Sequence, residues 1–188
     1  MSGNGSPARL PPLRAEHTAP QGLGAWVAAR LQAGWRGARD RLPLAPVWGV
    51  LMALCAFTAL FLQGRVGTGQ IAAILLLFFA GGMLAFPITV FLAQGLALGR
   101  RAETRFAGSF LCLTLSTIVV TAILFALQYR LFFARWHAPF ATRIWFYQFA
   151  FTGAGAIYQF IVMGIRLYMP LGLPALLGMS LWLTRVQR

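Results

Sequence analysis

The kind of fold is decided by residues 69–99, which read "GQIAAILLLFFAGGMLAFPITVFLAQGLALG" and contain no Asp, Glu, Lys or Arg. As one helix this run would measure about 45 Å, whereas the hydrocarbon core of a bilayer is about 30 Å thick. The helix must therefore tilt, bend or protrude. Gly81, Gly82 and Pro87 form a candidate hinge near its centre, because proline lacks the N–H that would bond back to an earlier carbonyl.

Three further apolar runs flank this one, at residues 44–63, 108–129 and 144–165. The chain is 59% hydrophobic and 10% charged, whereas a soluble domain carries roughly a quarter charged residues. The sequence therefore predicts an all-α integral membrane protein, with a four-helix transmembrane bundle in one membrane domain over residues 43–188.

The residues before the bundle fall into two parts. Residues 1–24 are rich in Pro, Gly and Arg without apolar periodicity, and are expected to form a disordered cytoplasmic tail. Residues 25–42 predict an amphipathic helix in the membrane interface, with an apolar stripe of Val27, Leu31, Trp35, Ala38 and Leu42. Its arginines are candidate lipid-headgroup ligands: Arg30, Arg36, Arg39 and Arg41. The alternative is an ordinary juxtamembrane segment whose arginines only set topology.

A short apolar segment follows the fourth run, at residues 170–183, and includes Pro170 and Pro174. About 13 helical residues remain there, roughly 20 Å, which is short for a membrane span. We expect an interfacial or re-entrant segment, with a marginal fifth span as the alternative.

The charge of the chain is strongly basic, with 16 Lys+Arg against 3 Asp+Glu. The arginines are spread over tail and loops, which favours anionic lipid headgroups over nucleic acid as partners. Most of them, Arg166 included, fall on the side of the N-terminus if there are four spans. The positive-inside rule then predicts a cytoplasmic N-terminus. The uninterrupted membrane pattern after the tail fits a protein of the bacterial inner (plasma) membrane. Three arginines in the connector 130–143 run against this pattern.

Two polar stripes are the most distinctive feature of the predicted spans. Tyr-Gln-Phe occurs at residues 147–149 and again at 158–160, eleven positions or about three helical turns later. The resulting stripe on the fourth span contains Gln148, Thr152, Gly155, Gln159 and Arg166. The third span has a stripe of Thr114, Thr117, Thr121 and Gln128. Because polar groups avoid lipid, we expect the stripes to face each other, with Gly153, Gly155 and Ala156 allowing close approach.

Two interpretations of these stripes stay open. They are either interhelical hydrogen bonds that hold the bundle together, or a polar pathway or small-ligand cleft with Arg166 at its cytoplasmic mouth. Arg166 at the end of a span also fits a side chain that reaches out to the headgroups.

Catalytic and metal chemistry find little support in the sequence. The predicted spans contain no Asp, Glu or Lys, which argues against proton-coupled antiport. The two histidines, His17 and His137, lie outside the spans, and Cys55 and Cys112 lack metal-ligand spacing. We therefore expect no enzyme activity, cofactor or metal.

The leading hypothesis is a non-enzymatic accessory or assembly subunit of an inner-membrane complex, bound to other membrane subunits or to copies of itself. One alternative is a small oligomeric transporter or channel for a neutral or anionic solute. The other is a membrane organiser that binds anionic lipids through residues 25–42.

Overall fold

The computed structural model of the protein describes residues 22–67, 69–97, 101–136 and 138–186. Most of the expected tail and His137 lie outside these ranges. Within them the chain folds into six α-helices, joined by turns and short non-α-helical segments: α1 Leu23–Asp40, α2 Ala45–Leu62, α3 Ile71–Ala97, α4 Ala102–Phe133, α5 Arg143–Gln159 and α6 Gly172–Val186.

Four helical stretches are long and apolar enough to cross a membrane: Leu42–Leu62, Ile71–Leu96, Ala102–Trp136 and Arg143–Tyr168. The predicted all-α fold with four such helices is confirmed. The bounds differ most for the third, which was expected over residues 108–129 but begins at Ala102. The helix thus begins six residues earlier than expected, within the polar stretch that precedes the apolar run. Glu103 in its first turn interacts favourably with the positive end of the helix dipole.

The bundle has two ends, which we name by the segments found there. The proximal end carries α1 and the start of α2, and the distal end carries the described residues of the loop 63–70 and of the connector 134–142. Helix α3 is central, because it contacts α1, α2 and α4. Helix α1 packs against the proximal part of α3, where its buried residues Gly34 and Gly37 contact Phe91 and Gln94.

The α3 glycines lie at helix crossings. A Cβ atom on Gly82 would lie 2.8 Å from Met52 Cγ and 3.1 Å from Gly49 Cα, and a Cβ on Gly81 would overlap the Thr121 side chain. The α-helix continues through Pro87. These glycines thus provide close packing against α2 and α4, and hinge motion at this site stays a prediction.

The path of α5 is broken before the chain reaches the proximal end. A π-helical segment, Phe160–Gly164, is followed by a 3₁₀ segment, Ile165–Tyr168, and a turn that leads into α6. Helix α5 packs on the distal half of α4, and Phe160, the first residue of the π-helical segment, has its ring centroid 6.0 Å from that of Phe125 in α4. Helix α6 packs on the proximal half of α4. The two helices therefore follow α4 one after the other.

The core lies between α2, α3, α4 and α6. Its largest fully buried side chains include Trp48, Met52, Phe86, Leu113 and Leu183. Cys55 and Cys112 are buried and free, as expected for thiols that act as small apolar side chains.

The glycine contact between α2 and α3 can be tested by replacing Gly49 with Val. A Cβ there would lie 2.7 Å from the Phe79 carbonyl oxygen, so the helices must separate, at a cost of about 1–3 kcal/mol. We expect Gly49→Val to lower the unfolding temperature, measured by the reaction of Cys55 and Cys112 with a thiol-specific fluorophore. The control is Gly108→Val in α4, where a Cβ meets nothing within 4 Å. Equal stability of the two variants would contradict the close contact.

Candidate functional site

The threonine stripe of α4 lies in the interior of the bundle. Trp48 Nε1 donates a hydrogen bond to Thr117 Oγ1 (3.2 Å), and both side chains are buried. The Tyr168 hydroxyl donates to Thr121 Oγ1 (2.9 Å). This stripe therefore faces α2 and the segment that follows α5. Gln128, at the distal end of the same stripe, is exposed.

Two of these threonines use their own proton within α4. Thr114 Oγ1 donates to the Phe110 carbonyl oxygen (2.8 Å), and Thr121 Oγ1 donates to the Thr117 carbonyl oxygen (2.7 Å). Such bonds satisfy a hydroxyl donor inside an apolar environment. The Thr121 oxygen can then accept a hydrogen bond, and the Tyr168 hydroxyl supplies it. This contact holds the segment after α5 against α4.

The glutamine stripe of α5 faces a different environment. Four of its members, Gln148, Thr152, Gly155 and Gln159, line a cavity of about 570 Å³ together with Tyr129, Phe133, Phe151 and Trp136. We call this cavity the α4–α5 groove. The expectation that the two stripes face each other is wrong, because α5 lies beside the aromatic distal part of α4. The threonines contact other elements nearer the proximal end.

Close approach of α5 to the bundle does not involve the expected glycines. A Cβ on Gly153 or Gly155 would meet nothing within 4 Å, whereas Ala156 is fully buried. Gln148 has a local role, since its Oε1 accepts a hydrogen bond from the Ala138 N–H (2.9 Å) and so holds the connector against α5.

The arginines of the connector region lie against aromatic rings. The Arg130 guanidinium carbon is 4.4 Å from the Trp145 ring centroid and 4.1 Å from that of Phe149. Arg135 lies 5.2 Å from the Trp136 ring centroid. Cation–π attraction stabilises these two arginines beside the rings, and Trp is a residue that prefers membrane–water interfaces.

Arg166 lies in a second cavity, of about 700 Å³, between the loop 63–70 and the segment after α5. We call this the distal cavity. Its polar lining consists of Gln63, Arg65, Gln70, Gln159 and Arg166. The expectation that Arg166 lies at the same end of the bundle as the N-terminal arginines is therefore wrong. Because α5 breaks early, Arg166 lies beside the distal loop. Helix α6, and not α5, packs along the proximal part of α4.

The four arginines of α1 divide into two pairs. Arg30 Nη1 donates to the Gly95 carbonyl oxygen (2.7 Å). Arg41 Nη1 lies against the Gln94 amide, whose oxygen accepts from it when the amide is turned so that its nitrogen donates to the Ala33 carbonyl oxygen. Arg36 and Arg39 are exposed. The first pair thus attaches α1 to α3, and only the second pair projects from the bundle in the manner expected of headgroup ligands.

A double-mutant cycle on Tyr168 and Thr121 tests the contact that closes the broken segment onto α4. We expect Tyr168→Phe and Thr121→Val to be coupled by about 0.6 kcal/mol, the average for interhelical hydrogen bonds in membrane proteins. The readout is the free energy of unfolding in detergent. Tyr158→Phe is the control, because Tyr158 is exposed. Strict additivity of the two substitutions would show that the hydrogen bond contributes nothing.

In the parts of the chain that the structure describes, no three His, Cys, Asp or Glu side chains come together as a metal site. The polar groups that do converge are amides, hydroxyls and guanidiniums, which bind and orient but supply no nucleophile with an adjacent base. Comparison of the chain with protein-family models, curated proteins and solved structures gives no match.

Proposed function

We propose that this protein is a non-enzymatic subunit of a membrane complex, and that a transmembrane helix of another subunit lies in the α4–α5 groove. The observation that carries the proposal is the low burial of the fourth span. Only 11% of its most apolar stretch is buried, against 44%, 28% and 33% for the other three. The least covered span is thus the one that carries the glutamine stripe.

The chemistry of the groove fits a helix as occupant. Gln159 is exposed, and a glutamine amide offers both donors and an acceptor to a polar side chain on a neighbouring helix. Leaving such a group against lipid is costly, which favours a protein partner. The open space at Gly155 lets a second backbone approach closely. The aromatic rings of Tyr129, Phe133 and Trp136 supply apolar contact area.

The placement in the membrane is part of the same proposal. We place the protein in a bacterial inner membrane with its proximal end in the cytoplasm. The described arginines near that end are Arg30, Arg36, Arg39, Arg41, Arg101, Arg105 and Arg185. Those near the distal end are Arg65, Arg130, Arg135, Arg143 and Arg166. The bias supports this orientation.

Helix α1 then lies in the cytoplasmic interface. Three residues of its apolar stripe, Val27, Leu31 and Trp35, are exposed while its glycines pack on α3. Arg36 and Arg39 are left available for anionic headgroups. Helix α6 lies in the bilayer as the continuation of α5.

Filling the groove tests the proposed assembly. Gly155→Phe places a ring in the open space of the groove, and we expect it to displace the partner helix. The partner is identified by mass spectrometry after mild-detergent purification of the tagged protein at native expression. Its recovery with the variant should fall by about tenfold, the effect of 1.4 kcal/mol in binding free energy.

Ala154→Phe is the matched control, because residue 154 is exposed on α5 but does not line the groove. It adds the same ring to the adjacent position and should leave partner recovery unchanged. Both variants are first compared for their amount in the membrane fraction. Equal recovery with the two variants, or a wild-type protein that purifies as a lone monomer, would refute the assembly role.

A further inference from the structure

The distal cavity brings together basic and amide side chains from two separate parts of the chain. Arg65, with Gln63 and Gln70, belongs to the segment between α2 and α3. Arg166, with Gln159, belongs to the end of α5 and the 3₁₀ segment after it. These groups are brought together by tertiary structure, because the path of α5 breaks at the level of the distal loop.

The charge of this cavity is one-sided. Two guanidinium groups line it, and no carboxylate does. Among the residues that the structure describes, the acidic side chains are Asp40 and Glu103, which belong to the end of α1 and the start of α4 at the proximal end. Two guanidinium groups on the wall of one cavity both attract an anion that lies between them.

The donor set matches a phosphate group. Each guanidinium presents a planar fork of N–H donors, which pairs with two oxygens of one anion. A carboxylate offers its two oxygens along a single edge, whereas a phosphate carries oxygens in tetrahedral directions. It can therefore accept from Arg65 and Arg166 together, and from the glutamine amides at the same time.

The remaining walls are apolar and extend towards the interior of the bundle. They include Phe78 and Phe160, which are almost fully buried with ring centroids 6.2 Å apart, and Leu77, Phe125 and Met163. A volume of about 700 Å³ lies within the range of small-molecule sites. The cavity is therefore basic near the distal loop and apolar further inside the bundle. A binding site for an anionic amphiphile would have the same two regions.

We propose that the distal cavity is a binding site for a phosphate group, held by Arg65 and Arg166, with lipid headgroups and soluble phosphate compounds as its two sources. This site is distinct from the α4–α5 groove, although Gln159 borders both cavities. It assigns Arg166 a ligand-binding role on the distal side of the protein.

The test measures binding of a fluorescent short-chain phosphatidylglycerol to the full chain in neutral detergent, with the same dye on phosphatidylcholine as the uncharged reference. We expect the wild type to prefer phosphatidylglycerol by about tenfold or more. The double variant Arg65→Gln/Arg166→Gln should lose that preference. Both side chains are exposed, so the variant is expected to fold.

Arg101→Gln/Arg185→Gln is the matched control, because it also removes two arginine charges, from exposed positions near the proximal end, and should retain the preference. Equal loss in the two double variants would show general electrostatic attraction and overturn the proposal. Arg166→Lys keeps the charge but not the planar fork, and should weaken binding severalfold. Full binding by this variant would contradict bidentate recognition.

Competition by inorganic phosphate separates the two sources. Displacement of the lipid by phosphate, together with a raised unfolding temperature in the wild type but not in Arg65→Gln/Arg166→Gln, would show that the site recognises the phosphate itself. Stabilisation by phosphate without lipid binding would assign the site to a soluble compound. Lipid binding that phosphate does not displace would assign it to a phospholipid. A wild type that responds to neither probe refutes the site.

Discussion

Helices α2 and α4 both pack closely on α3 because two adjacent positions on it, Gly81 and Gly82, carry no side chain. Because Gly82 has no side chain, α2 approaches until its residues Gly49 and Met52 contact Gly82. Gly81 likewise leaves room for the Thr121 side chain of α4. Thr121 in turn accepts the hydrogen bond of Tyr168. The same two residues thus determine the spacing of α2, the spacing of α4 and the position of the segment that follows α5. A larger side chain at either position would separate contacts that involve most of the bundle.

The apolar environment of a membrane bundle explains why several of its buried polar side chains form hydrogen bonds within the protein. In hydrocarbon an unpaired hydroxyl or indole N–H is costly, because no water replaces the missing partner. Several threonines donate to the carbonyl one turn earlier in their own helix, among them Thr89, Thr114 and Thr121. Trp48 is fully buried and donates to Thr117. These threonine and tryptophan groups are therefore satisfied, whereas the buried hydroxyls of Ser109 and Ser180 have no hydrogen-bond partner in the described part of the chain. The amides of α5 line cavities that remain open.

The apolar runs of the sequence predicted the helices well because hydrophobicity and length are local properties. The first run, expected over residues 44–63, is α2 at Ala45–Leu62. The second, expected over 69–99, is α3 at Ile71–Ala97. What the sequence could not show was the direction in which polar stripes face, since helical periodicity places residues on a face without naming the neighbour. The threonine stripe therefore contacts α2 and Tyr168, and the glutamine stripe faces aromatic residues.

Arg166 was misplaced for a related reason. Sequence reasoning treated it as the end of a complete span, because an arginine after about 20 apolar residues normally marks the membrane boundary. The break after Gln159 ends the α-helix early, and no local pattern indicates that α6 continues the same path. The distal cavity was missed with it, since Arg65 and Arg166 are far apart in the chain. The sequence did indicate an interruption between two apolar stretches, because Pro170 and Pro174 follow the fourth run, at the start of the last apolar segment.

The shortness of α6 also bears on biogenesis. Its 15 residues measure about 22 Å, less than the hydrocarbon thickness of about 30 Å. A segment of this length is a poor substrate for independent release from a translocon into lipid. In the membrane placement proposed above, α6 is shielded from lipid only when α4 is already in the membrane for it to pack on and α5 has inserted before it. In that placement, this part of the chain therefore inserts cooperatively, because α5 and α6 each pack on α4.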